Sequence, residues 1–306
     1  MQARNSNNAQ GIDISHHNGV VDWMKVKGDG IRFAFLKASE GSTYKDSTFP
    51  GHVKAARAAG VLVGPYHFVN AASEAAAKVE AANFYAAIQS AGGIAVMDLP
   101  PVMDYEDNKS GLSKAQISAV AAAFLAEIER LTGIRPIVYT GNSFAANFTE
   151  AISKYPLWVA RYSTQPPTDV AAWSRWDFWQ YSDGQSGGYR PVGGRAVAGV
   201  SGLPDLNEYA GTVEELKVKF SKSKGDVGSV AERDIEQVSK WAETAWKEMQ
   251  DNGYFDGTRP GAGITREEAA MVFSRMRTNF LTLIAGNKEA IAALEQRMTA
   301  IEKEVK

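Results

Sequence analysis

The strongest constraint on this chain is an alternation: short apolar, β-prone runs recur between Ala-rich helical stretches through most of the sequence. Parallel neighbours cannot be joined by a tight turn, so such alternation predicts β-α units around a parallel sheet or barrel. About eight strands can be read: Gly11–Ser15, Arg32–Ala38, Leu62–Phe68, Val102–Tyr105, Pro136–Thr140, Leu157–Arg161, Asp177–Tyr181 and one near Leu203–Leu206. Helices are predicted at Lys45–Ala59, Ser73–Ala91 and Ser113–Thr132, the last opened by the cap signal Ser113–Gln116 and closed by Gly133. From Leu157 onward the connections turn Gly-, Pro- and Trp-rich. An α/β barrel that is helical early and strand-rich late fits this better than a regular eightfold repeat.

Length and composition divide the chain. At 306 residues and 44% hydrophobic content it has room for one large domain and a small one. Met1 to Gln10 is polar and Asn-rich, which predicts a disordered N-terminus and no secretory signal. The barrel is expected over 11–220, and the Ser-, Lys- and Gly-rich stretch 221–230 reads as a linker. Beyond it, 231–279 predicts a small helical domain: an amphipathic helix to Met249, a stop at Asn252-Gly253, and a second helix capped at Thr265 and running to about Met276. In 280–306, Ile284, Ile291, Met298 and Val305 share one heptad position and Phe280, Asn287, Leu294 and Ile301 another. That seam suits either a short coiled coil, hence a homo-oligomer, or a single amphipathic helix lying on its own domain.

Several classes drop out. A formal charge of −2 offers no field for nucleic acid, and no run of 18 apolar residues spans a membrane. With no cysteine there is no thiolate chemistry, and the four histidines lack ligand spacing, so neither a metal nor another cofactor is expected.

Chemistry concentrates in Val102-Met-Asp-Tyr-Glu-Asp107, an apolar run ending in alternating carboxylates. Residues i and i+2 of a strand share a face, so Asp104 and Glu106 would both look into the barrel mouth, about 6–7 Å apart along the backbone. Paired carboxylates push their pKa values apart; the less solvated one keeps its proton and can donate it, while the other stays ionised. Glycosidic cleavage needs that division. A solvated acidic turn would read the same way in isolation. Asp13 and Asp205, however, sit at other predicted strand ends and would converge on the same mouth. Aromatic residues crowd these ends too, among them Tyr66, Phe68, Tyr139, Tyr162 and Trp179, and flat rings suit sugar stacking. Gly141-Asn-Ser-Phe-Ala145 imitates a nucleophile elbow, but no histidine follows it, so Ser143 reads as a helix N-cap.

At these residues the chain resembles the family 25 glycoside hydrolases, Chalaropsis-type lysozymes that include many phage endolysins. The resemblance covers about residues 11–212 and rests on Gly11–Ser15 with Val21–Trp23, Phe33–Gly41, Gly64–Phe68, Pro101–Glu106, Leu157–Arg161, Trp179–Tyr181 and Asp205–Asn207. It implies a flattened (β/α)5β3 TIM-like barrel that hydrolyses the β-1,4 bond between N-acetylmuramic acid and N-acetylglucosamine in bacterial peptidoglycan. By position it makes Glu106 the general acid, Asp104 the stabiliser of the charged intermediate, and Asp13 and Asp205 the supporting aspartates. Tyr66 matches a substrate-contacting tyrosine, and the same blocks place Lys37 and Gln180 among the expected contacts with Phe68, Tyr139, Tyr162 and Trp179. His16-His17-Asn18 departs from the usual pattern. The tail, with Trp241, Trp246, Gly253–Gly257 and Ile264–Ala269, is similar to an S-layer-homology-like unit, which implies contact with wall polymer. On this reading the protein is made in the host cytoplasm and reaches the wall after the membrane is permeabilised.

Overall fold

Strand pairing closes on itself. In the computed structural model, β1 (Gln10–Ile14) pairs in parallel with β2 (Phe33–Glu40), and the ring continues through β4 (Leu62–Phe68), β5 (Val102–Asp104), β6 (Ile137–Gly141), β7 (Leu157–Ala160) and β8 (Phe178–Ser182). The last strand, β9 (Asp205–Tyr209), runs antiparallel between β8 and β1 and completes an eight-stranded barrel. The two-residue β3 (Tyr44–Lys45) lies outside the ring on the end of β2. The structure describes residues 1–184, 194–225, 238, 243–254 and 266–304, in two compact units, Met1–Val227 and Gly228–Lys306.

Helices follow the early strands, as the alternation requires: α1 (Trp23–Gly28) after β1, α2 (Phe49–Ala58) after β3, α3 (Glu74–Ser90) after β4 and α4 (Lys114–Thr132) after β5. The α4 caps form as read, with a reciprocal Ser113–Gln116 box and Gly133 in the left-handed region at φ 69°. After β6 the helical signal yields only two 3-10 turns, Phe144–Asn147 and Glu150–Ile152. Ser143 precedes the first, yet its side chain makes no capping bond. The short α1 escaped periodicity because only Trp23 and Val26 are buried on it, although Asp22 caps it by accepting from the Lys25 amide at 3.2 Å. A further helix, α5 (Val213–Gly225), runs five residues into the stretch expected as linker, and its Leu216 and Phe220 pack into the barrel interior with Ala9, Phe178 and Tyr209.

Side-chain parity sorts each strand into two layers. Phe33, Phe35, Val102, Ile137, Trp158 and Phe178 fill the barrel, with the Phe35 and Trp158 rings stacked at 4.3 Å. The alternate residues, such as Ala34, Leu36, Met103, Val138, Val159 and Trp179, face the surrounding helices and loops. Parallel strands therefore deliver their C-terminal residues, and β9 its first residue, to one end of the barrel.

The N-terminus corrects a sequence expectation. Rather than a disordered segment, residues 2–8 form a strap over the outer face of β8 and β9. Gln2 exchanges bonds with the Trp176 backbone and indole, and Arg4 donates to Glu208 at 2.6 Å. The cause is Glu208, an outward-facing carboxylate only 1% exposed, which needs a cationic partner. Polarity alone could not reveal that demand.

In the second unit, α6 (Glu243–Asp251) ends at Gly253, where φ is 72°, and Arg275 and Asn279 of α7 (Arg266–Glu304) bond the Gly253–Tyr254 turn. The predicted break between a helix ending near Met276 and a separate seam helix is absent. No Gly or Pro stands there, so one helix of 39 residues continues for roughly 58 Å. Phe280, Ile291, Leu294, Met298 and Ile301 stand exposed along it. Residues 226–230 of the expected linker, most of 231–242, and 255–265 with the Thr265 cap lie outside the described residues. Among the described residues no helix is long and apolar enough to cross a membrane.

Candidate active site

Barrel closure brings the four predicted carboxylates to one mouth. Asp13, next to last in β1, lies directly opposite Asp205 at the start of β9, and Asp104 ends β5 between Phe68 of β4 and Tyr139 of β6. Glu106 lies just past β5. The ladder extends one further step, from the Tyr105 amide to the Tyr139 carbonyl, with Tyr105 buried against Phe144 and Phe148 on the outside. Continued alternation turns Glu106 back toward the groove, where its charge acts on Asp104, Tyr139, Tyr162 and Asp205.

The pair Asp104 and Glu106 is split by depth. Asp104 is 6% exposed, and its Oδ1 receives no hydrogen bond from the described residues. Burial, then the Glu106 charge, hold its carboxyl well above the ordinary range, opposed by Lys37. Glu106 is exposed at the rim, yet the surrounding protein, then Asp13 and Asp107, raise it as well. Both carboxyls are thus held above their ordinary range, and the deeper setting of Asp104 favours its neutral form.

The other pair is linked more tightly. Asp205 is pushed up to about 9, by burial first and then by Asp13, with which it shares a hydrogen bond. Burial also raises Asp13, while the side chains of Asn207, Gln180 and Asp205 pull it back. The Gln180 Nε2 donates to Asp13 at 2.9 Å and to Asp205 at 3.3 Å, and the Asn207 Nδ2 donates to Asp13 at 2.8 Å.

Most predicted contacts reach this mouth. Burial and then Asp13 and Asp104 keep the Tyr66 phenol neutral far above its usual range, and Tyr139 and Tyr162 both donate to the Gln180 Oε1, at 2.8 and 3.1 Å. Lys37 binds Glu40 at 2.6 Å and lies 5.4 Å from the centre of the Phe68 ring. Trp179 is the exception. It is fully buried in the outer layer, its indole donating to the Arg161 carbonyl at 2.8 Å. Adjacent strand residues face opposite ways, so Trp179 cannot join Gln180 in the groove. Sequence reasoning in turn missed Asn207, although its position two residues after Asp205 on β9 signals the same face. His16 contacts Asp46 and Tyr44, each at 3.0 Å, rather than the carboxylates. A cavity of about 620 Å³ lined by Tyr155, Trp173 and Arg175 includes none of the four.

Four carboxylates with displaced proton affinities, walled by tyrosines at the mouth of a closed α/β barrel, define a glycoside hydrolase. Residues 12–188 match the model of the Glycosyl hydrolases family 25, and the chain belongs to that family. Lysozyme M1 of Streptomyces globisporus is 34% identical over 216 residues, covering 68% of this chain and 69% of its own length. The autolytic lysozyme of Clostridium acetobutylicum is 32% identical over 66% of this chain and 56% of its own. Among solved structures, the bacterial lysozyme from Streptomyces coelicolor superposes with a TM-score of 0.60 at 31% identity, covering 72% of this chain and all of its own.

Proposed function

We propose that this chain is an endolysin-type N-acetylmuramidase that hydrolyses the β-1,4 bond between N-acetylmuramic acid and N-acetylglucosamine in bacterial peptidoglycan. The observation that carries the reading is the meeting of Asp13, Asp104, Glu106 and Asp205 in one groove of a family 25 barrel. Helices after four strands and 3-10 turns after the fifth support the flattened (β/α)5β3 description.

Glu106 is the proton donor because it stands at the rim, where a leaving oxygen arrives, whereas Asp104 is sunk beneath it. Sugar laid over Glu106 strips its water and raises its affinity for a proton. The proton then passes from Asp104 to Glu106. Asp104, left ionised with Lys37 near, faces the positive charge that grows as the glycosidic C–O bond breaks and Glu106 protonates the departing oxygen. It steadies that charge through the substrate's 2-acetamido group, and water completes the hydrolysis. Tyr66, Phe68 and Tyr162 supply ring faces and hydroxyls for the sugars, while the buried Tyr139 holds Gln180 behind them. Loss of turbidity of purified walls by the native chain and not by Glu106→Gln tests this; a chain that clears no walls, or a variant that clears them equally, overturns it. Mass analysis of the fragments must show a muramic acid reducing end.

The C-terminal unit targets wall polymer through its S-layer-homology-like helices, and the exposed seam on α7 joins copies, so that weak contacts gain by avidity. A phage-borne enzyme of this kind accumulates in the host cytoplasm until the membrane is permeabilised. Sedimentation of the full chain against one truncated at Asn279 checks the association, and equal stoichiometry refutes it.

A further inference from the structure

Two buried amides beneath the carboxylates do more than fill space. Asn207 is fully buried and its Oδ1 accepts from the Trp158 indole at 2.8 Å. An indole N–H can only donate, so the Asn207 amide group is forced to face Asp13. Gln180, 2% exposed, is held likewise from behind: Tyr139 and Tyr162 donate to its Oε1, and its N–H groups face the aspartates. Neither amide can turn over without setting carbonyl oxygen against carboxylate. Both point N–H at the same atom, Oδ2 of Asp13, whereas Asp205 receives only the longer 3.3 Å contact from Gln180.

We propose that Gln180, backed by Tyr139 and Tyr162 and assisted by Asn207, is a positioning residue that assigns the single proton of the Asp13–Asp205 pair to Asp205. Two charge-assisted bonds favour the ionised form of Asp13. Asp205 then keeps its proton and donates it to Asp13. A fixed negative charge on Asp13 in turn disfavours a second one on Glu106, which helps the acid take up its proton once substrate covers it. The charges facing this pair are Glu106 and Asp183 toward Asp205 and Asp104 beyond Asp13, with Lys37 acting on Asp104 from β2. Tyr66 and Tyr162 stay neutral beside them.

The inference rests on the muramidase reading for its catalytic consequence but not for the proton assignment, so two readouts separate them. Carboxyl-carbon NMR of aspartate-labelled full-length protein, with Asp205→Asn used to assign the pair, follows the titration without substrate. In Gln180→Met the lost donor raises the Asp13 titration by about one pH unit, and the low-pH limb of wall hydrolysis moves up in parallel. The milder Tyr139→Phe/Tyr162→Phe double variant, which frees the amide but spares its volume, moves both the same way by a smaller amount and serves if the methionine variant unfolds. Unchanged Asp13 titration in the folded variants overturns the proposal. Hydrolysis retained in Glu106→Gln alongside a shifted Asp13 overturns only the catalytic reading.

Discussion

Replacing Arg4 by alanine should destabilise the barrel far more than loss of a residue three positions from the first methionine suggests. Its Nε donates to Glu208 at 2.6 Å, and the guanidinium lies 3.6 Å from the centre of the Tyr181 ring. Removing one partner of a buried ion pair costs about 3–5 kcal/mol, because the other charge stays uncompensated. Two features reduce the figure: the Arg4 side chain is 33% exposed, so water can enter behind it, and Asn8 still donates to Glu208 at 3.0 Å. About 2 kcal/mol remains from the pair, and the lost ring contact adds about 0.5–1 kcal/mol. For a unit of this size each kcal/mol moves Tm by about 2–4 °C, so a total near 3 kcal/mol lowers the barrel transition by about 6–12 °C. Calorimetry reads it directly. Adding Glu208→Gln to Arg4→Ala should recover most of the loss, since a neutral amide needs no cation. A shift under about 2 °C, or no recovery in the double variant, would refute the account of the strap as a counter-charge for Glu208.

Other expectations follow from the groove. Because Asp205 is held near 9 against an ordinary 3.8, the folded protein binds its proton more tightly than the unfolded chain does, and this contribution to stability is lost as pH rises between those values. Asp205→Asn should therefore flatten the decline in urea stability between pH 5 and 9 by more than about 1 kcal/mol while slowing wall hydrolysis; an unaltered pH slope contradicts it. Trp179→Phe should cost about 2–4 kcal/mol through a cavity and a broken bond to the Arg161 carbonyl, yet leave KM for walls unchanged. A raised KM at full stability would return Trp179 to the substrate.

The strands were legible because period-two burial and β-branched content act locally, so Leu62–Phe68 emerges with the bounds it was given. The carboxylates were legible for a related reason: each lies at or just beyond one end of a strand, and a barrel gathers strand ends. What escaped depends on partners distant in sequence. The polar strap is ordered by Glu208, some two hundred residues away, and nothing in Met1–Gln10 announces that charge. The lack of a breaker near Met276 was readable, but a cap signal at one end and a change of repeat at the other invited a division that the α7 backbone does not make. Trp179 and Gln180 are neighbours on β8, and since a strand cannot send both inward, parity alone separates Trp179 from the groove.

Parity also explains why the acid could not be chosen between Asp104 and Glu106 from their order alone. Spacing by two places both on the groove side, but depth is fixed by where the strand stops, and β5 stops at Asp104. The deeper carboxylate is the poorer donor, since a leaving oxygen at the rim does not reach a side chain only 6% exposed, even though burial favours its neutral form. The shallower one gains the proton only when substrate displaces its water. An infrared titration of the Asp104–Glu106 pair with and without a bound chitooligosaccharide should therefore show protonation moving from Asp104 to Glu106 on binding, with Asp104→Asn and Glu106→Gln assigning the two bands. A proton that stays on Asp104 in the complex would require Glu106 to act as the charged partner and would exchange the roles of the two residues.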